Sequence, residues 1–225
     1  MLSDPNRRFQ LALERAQSDW AAADPDLSAT LAGCARAPDG LVVPFFGMPH
    51  LVSHPAGEVL RQKAGVTDPA HPSVAIALIH YLLHSDGARP AGRWVAFREL
   101  PDALFYAQAF AGHAEGALAD RFGQDANGFR RACLAQGGLP LDLADAAFSF
   151  QALPMLPLAV LLWEGDDEFP GQARILFDAN AGRQLPTEDL SGLGDWLAHR
   201  LVRWQGTQGA KANPQPGTSS TSEKS

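Results

Sequence analysis

Apolar and polar positions along this chain change over most abruptly between Leu153 and Asp178, LPMLPLAVLLWEGDDEFPGQARILFD. An apolar run climbs to Trp163, four carboxylates (Glu164, Asp166, Asp167 and Glu168) follow at once, and a second apolar run closes at Asp178. The pattern predicts two strands, Pro157–Trp163 and Arg174–Asp178, joined by an acidic turn. A connection this short cannot make the crossover that parallel strands need, so the neighbours are antiparallel. Phe148–Gln151 is a third strand candidate. Leu41–Phe46 and Trp94–Phe97, rich in β-branched and aromatic residues, are two more, with His50–His54 placed to pair with the first of them.

Other segments repeat at helical spacing. Residues 3–22 bring round Phe9, Leu13, Ala16 and Trp20, with Ser3 to cap the helix and Pro5 in its first turn. A short helical turn follows Asp26. Residues 72–84, PSVAIALIHYLLH, carry the stripe Val74, Leu78, Tyr81 and Leu82, and Ser85-Asp86-Gly87 ends them. His113–Phe122 and Asp125–Gln136 read as two helices, divided at Gly123 and stopped by Gly137-Gly138. Thr187 caps a last helix with acids in its first turn and Arg200 and Arg203 in its last, weakened or split by Gly192 and Gly194. From Gln205 onward nothing anchors the chain to a core, which predicts disorder. The expected fold is α+β: a single domain, residues 1–204, with a mostly antiparallel sheet packed by helices, then a disordered tail, 205–225.

Composition narrows the classes. With 225 residues, 46% hydrophobic and 19% charged, the chain can bury a core without disulfides or metals. A formal charge of -7, without clustered Lys or Arg, lacks the footprint of a nucleic-acid binder. Attraction to an anionic membrane surface is equally missing. The longest apolar run, Leu153–Trp163, is too short to span a bilayer, and charges interrupt the N-terminus where a signal peptide needs an apolar stretch. Cys34 and Cys133 form no CxxC pair, which argues against iron–sulfur or zinc ligation and suits a reducing compartment. The expected location is the cytoplasm.

The acidic turn is the first candidate for chemistry. Neighbouring carboxylates repel by roughly 1 kcal/mol per pair at about 4 Å in water, so solvent, Arg174, a cation or a shared proton must offset them. The spacing does not match an EF-hand loop. The connection exceeds a tight hairpin, and Phe169 and Pro170 suggest that its far end folds back on the body. His80 and His84 share one helix face and can chelate a transition metal together, the alternative being one packed and one exposed histidine. HYLLH lacks the glutamate of HExxH, which excludes a zinc peptidase. His50 and His54, about 13 Å apart in an extended segment, read as structural. Cys133 lies on the apolar face of Phe129 and Ala132; Cys34, in a more polar setting, is the more reactive thiol. No GxSxG elbow, Walker loop or GxGxxG is present.

Taken in order, YLLHSDGARPAGRWVAFREL from Tyr81 to Leu100, the Tyr106 and Phe110 pair, Gly137-Gly138, and LPMLPLAVLLWEGDDEFPGQARILFDANA from Leu153 to Ala181 are similar to landmarks of one family. The chain resembles, over roughly residues 25–200, the bacterial and archaeal family catalogued as domain of unknown function 3786. The resemblance implies no settled activity. Some relatives join this domain to a cysteine-rich four-iron iron–sulfur module of the kind found beside corrinoid and acetyl-coenzyme-A chemistry, which implies a redox or cofactor-dependent enzyme as partner. These residues carry no such module.

The functional expectation is therefore a ligand- or cofactor-binding accessory domain. Its site is placed at Trp163, Glu164, Asp166, Asp167, Glu168 and Asp178, with aromatic walls from Trp94 and Tyr106, for a divalent metal or a corrin- or haem-type cofactor. Two alternatives stand beside it. One is a metal-assisted hydrolase or lyase with Glu168 or Asp166 as general base, which requires His80, His84 or Arg98 to converge on the turn. The other is a protein-interaction domain that docks a basic partner on the turn.

Overall fold

A computed structural model describes residues 5–63 and 65–204. The expected tail and the Ser3 cap lie outside the described residues. The N-terminal part is organised by Trp20. Helix α1 (Pro5–Ala21) turns Ala16 and Trp20 inward, and the Trp20 indole N–H donates to the Ser53 carbonyl at 2.8 Å while its ring meets His54 edge-on. Helix α2 (Pro25–Ala32) is capped by Asp24, whose carboxylate accepts from the backbone of Asp26 and Leu27, and it ends at Gly33 in the left-handed region.

Five strands then form an antiparallel meander in sequence order: β1 (Ala35–Ala37), β2 (Gly40–Phe45), β3 (Met48–Ser53), β4 (Val59–Lys63) and β5 (Val66–Pro69). Helix α3 (Pro72–His84) follows and buries the expected stripe of Val74, Leu78, Tyr81 and Leu82. Tyr81 also joins the two halves of the chain. Its hydroxyl donates to the Ala32 carbonyl at 2.7 Å and accepts from the Met155 N–H at 2.9 Å, so it is a fully used buried phenol.

The second sheet has the order β6-β10-β9-β8-β7, all antiparallel, from β6 (Trp94–Ala96), β7 (Leu139–Leu141), β8 (Ala146–Leu153), β9 (Leu156–Trp163) and β10 (Gln172–Asp178). Against it pack α4 (Ala107–Phe110), continued by a π-helical segment, Ala111–Gly116, into α5 (Ala117–Phe122), then α6 (Ala126–Ala135) and α7 (Thr187–Val202). One apolar cluster runs through both sheets, from Leu41 and Val52 to Leu158 and Phe177. Among the described residues, no helix is long and apolar enough to cross a membrane.

The fold is α+β, as expected, but the expected sheet is two. The pattern hides β4 and β5 because Arg61, Lys63, Val66 and Thr67 face solvent on a sheet edge and leave no apolar alternation to read. Thr187 is inside α7, not its cap. Pro186 holds that position, and the Thr187 hydroxyl donates to the Pro101 carbonyl at 2.6 Å. Nor does glycine split α7: a Cβ on Gly194 would come within 2.4 Å of the Phe110 ring, so this residue lets two elements approach closely.

Candidate functional site

The acidic turn faces solvent, and its backbone, more than any side chain, pins it down. Asp166 accepts from the N–H groups of Glu168 and Phe169 at 2.9 and 2.8 Å, and these donors hold its carboxyl below the usual carboxylate range. Glu164 accepts from Ala126 N–H at 3.0 Å at the start of α6, and its own N–H donates to Asp145. Gly165 N–H donates to the Gly123 carbonyl, and Gly171 packs so tightly on Gly123 that a Cβ there would meet that oxygen at 2.3 Å. Phe169 is 65% exposed, so its ring is not what folds the loop back. Arg174 does not face the turn's acids; it pairs at 2.8 Å with Glu115, which is buried and also accepts from Ile175 N–H. A hollow of about 270 Å³ beside Pro170 and Gly171 has none of the four carboxylates in its wall.

The other expected site residues lie apart. Asp178 is at the opposite end of β10 from the turn, about 20 Å away at strand rise. It is 2% exposed and accepts from three backbone N–H groups, those of Ala91, Gly92 and Asn180, at 2.8 to 2.9 Å. Trp94 sits opposite it across the β6–β10 pairing and packs beside Ala159 and Leu161. Trp163 ends β9 at the acidic turn, and Tyr106 is half-exposed on the far side of β6 in sequence. The set therefore occupies several places.

His80 and His84 meet ring to ring at 5.6 Å, but each Nδ1 is committed, to Asp189 at 2.7 Å and to the His80 carbonyl at 2.9 Å. Among the described residues no three His, Cys, Asp or Glu side chains converge to hold a metal ion. The hydrogen bond to Asp189 raises the His80 pKa, with smaller contributions from Asp19 and Glu188, against the lowering effect of burial. A raised folded-state value makes the pair's stabilisation complete below the unfolded pKa of about 6.5 and lost as pH climbs through the folded one. Asp189→Asn should therefore lower stability by about 0.5 kcal/mol at pH 5.5, after allowance for solvent screening, and by less at pH 8.5. Urea denaturation at the two pH values checks this; an equal loss at both would remove the charge argument.

Cys34 is partly exposed and Cys133 buried, so Cys34 is the more accessible of the two thiols, as expected. Burial pushes its pKa up to about 12, and Cys133, wholly buried, is raised as well.

A larger cavity, about 860 Å³, lies elsewhere, between the β2–β3 tip, the β4–β5 edge, the start of α3 and the last turns of α7. Its apolar wall includes Phe45, Phe46, Met48, Val74 and Trp196. The β2–β3 tip is a tight turn in which Phe46 and Gly47 both have positive φ, +47° and +75°. Glycine takes that conformation freely, whereas phenylalanine stores about 1–2 kcal/mol of strain there. Phe46 is held in place from two sides: its N–H donates to the Ala152 carbonyl of β8, and its own carbonyl accepts from Arg200. Trp196 meets the Phe45 ring at 5.9 Å and His71 at 6.2 Å, edge to face.

Polar groups enter this cavity at a few points. His50, 4% exposed, donates from Nδ1 to the Met48 carbonyl at 2.9 Å, which makes Nε2 the acceptor. Burial and, secondarily, Arg61 lower its pKa, so the imidazole is neutral at pH 7. Arg200 donates to Gln136 and to the Phe46 carbonyl, and burial lowers its pKa. Asp195 brings a buried oxygen, Oδ1, that has no hydrogen-bond partner among the described residues. Burial raises the Asp195 pKa, opposed by His113 and His199. The arrangement offers two acceptors, a cation and aromatic faces to one bound molecule.

Sequence reasoning missed this cavity. Two signals bear on it: FFG at a hairpin tip, where a bulky residue fits poorly, and the stripe Trp196, His199, Arg200 and Arg203 on one face of α7, which was absorbed into the helix-dipole argument.

Residues 24–200 match a family model described as Domain of unknown function (DUF3786). No curated protein and no solved structure matches the chain.

Proposed function

The chain belongs to the DUF3786 family, whose model spans most of it, and from that premise we propose that it is a small-molecule-binding domain with its site in the cleft beneath α7. The observation that carries the proposal is the meeting in one cleft of aromatic faces, Phe45, Phe46 and Trp196, with the charged groups of Arg200 and Asp195.

Size and lining support the same reading. At about 860 Å³ the cleft falls within the range of small-molecule pockets, and its wall is chiefly aromatic and aliphatic with a few fixed polar groups. Phe46 adds weight, because a bulky residue kept in a strained conformation at a cavity wall is better explained by what it contacts than by the turn it makes.

The test is a ligand-observed NMR screen of aromatic fragments against the whole chain. Hits should be lost in Trp196→Ala, which removes an aromatic wall at a partly exposed position, and in Ala70→Trp, which fills the cleft from its rim. Phe46→Gly, which relieves the backbone strain but gives up the ring's packing on Phe45, should weaken the same hits. An absence of hits, or hits indifferent to all three substitutions, would remove the cleft as the site.

A further inference from the structure

We infer that the molecule taken by this cleft is an oxyanion on a flat apolar body, its negative end held by Arg200; the inference rests on the cleft being a binding site. Three arginines line the cavity, Arg61, Arg200 and Arg203, against one acid, Asp195. Arg61 is already paired with Asp68 at 2.8 Å. Among the described residues, neither Arg200 nor Arg203 forms a salt bridge, and the buried Asp195 oxygen is no partner to them.

Arg203 is exposed, and water suffices for it. Arg200 is different. Its guanidinium is partly withdrawn from solvent, and two of its nitrogens are tied to neutral acceptors, the Gln136 side-chain oxygen and the Phe46 carbonyl. Those bonds fix its plane and leave Nη2 free to donate. A desolvated cation normally has its counter-charge beside it, because the Coulombic gain must offset lost hydration. The C-terminal dipole of α7 favours basic residues in its last turn and so accounts for the presence of arginine. It does not account for a guanidinium fastened by neutral acceptors to the wall of a cavity.

The remaining groups define the rest of the ligand. Trp196 and Phe45, edge to face, offer a ring surface, and the Asp195 carboxylate in the same wall favours an N–H or O–H donor away from the anion. Carboxylates and phosphates share the recognising chemistry, since a guanidinium pairs with either.

Isothermal calorimetry with two matched pairs tests the inference: indole-3-acetate against indole-3-ethanol, and adenosine monophosphate against adenosine. At least one anion should bind about tenfold more tightly than its neutral counterpart, and the pair that shows the gap identifies carboxylate or phosphate. The gap should shrink in about 0.5 M NaCl and close in Arg200→Gln, with the neutral compound's affinity kept. Arg203→Gln, at an exposed position, should narrow it without threat to folding and serves if the Arg200 variant does not fold. Equal affinities within both pairs would overturn the oxyanion and leave the cleft reading standing. Fragment hits in the cleft without binding of either anion would do the same, whereas loss of all binding takes both readings together.

Discussion

Replacement of Asp178 by alanine is expected to cost roughly 3–5 kcal/mol of folding stability, one of the two largest single-residue effects expected in this protein. The carboxylate closes β10 and accepts from the N–H groups of Ala91, Gly92 and Asn180. Two of these belong to the segment that enters β6, so one side chain fastens the incoming loop to the outgoing strand. Bonds to a charged acceptor contribute about 1.5–3 kcal/mol each, and alanine strands all three donors at once. Asp178→Asn should cost about half as much, because one oxygen is kept while the amide nitrogen opposes an N–H. Chemical denaturation decides the matter. A loss below about 1 kcal/mol for the alanine variant would show that water replaces the clamp readily.

The second large effect is at Trp20. Its side chain is 0% exposed, packs against His54 and donates to Ser53. Trp20→Ala should cost about 3–5 kcal/mol through the cavity it leaves. Trp20→Phe, which retains most of the bulk and drops the indole N–H, should cost about 1–2 kcal/mol. Thermal or urea unfolding of the two variants separates packing from hydrogen bonding. If phenylalanine proved as damaging as alanine, the Ser53 bond and not the ring would dominate.

These two residues mark what was legible in the sequence and what was not. Trp20 was readable because helix α1 buries one face, and a one-sided burial writes its period directly into the chain. The same holds for α3, whereas β9, buried on both faces, was readable as a continuous apolar run. Asp178 was read as a ligand because a sequence displays carboxylates but not the backbone donors that fold around them. The acidic turn shows the same limit. Solvent, one of the offsets expected for the like charges, reaches these exposed carboxylates, and Asp166 is served besides by two amides of its own loop. Strands β4 and β5, polar on a sheet edge, left no alternation to detect.

The cleft was illegible for another reason: it is assembled across the whole chain. Arg200 donates to Phe46 over 154 positions of sequence, and Arg61 and Val74 come from two further elements. No local window holds more than a fragment of that wall. The unsuitability of phenylalanine for the β2–β3 tip and the basic and aromatic stripe of α7 were the local clues, and their meaning depends on the neighbours that the fold supplies.

The peptide of Phe46 has its nitrogen committed to the second sheet and its oxygen to α7. Anything lodged against that ring therefore presses on a rivet between an early hairpin, a central strand and α7. Occupancy would stiffen all three as a unit, turning a meeting point of distant segments into a brace.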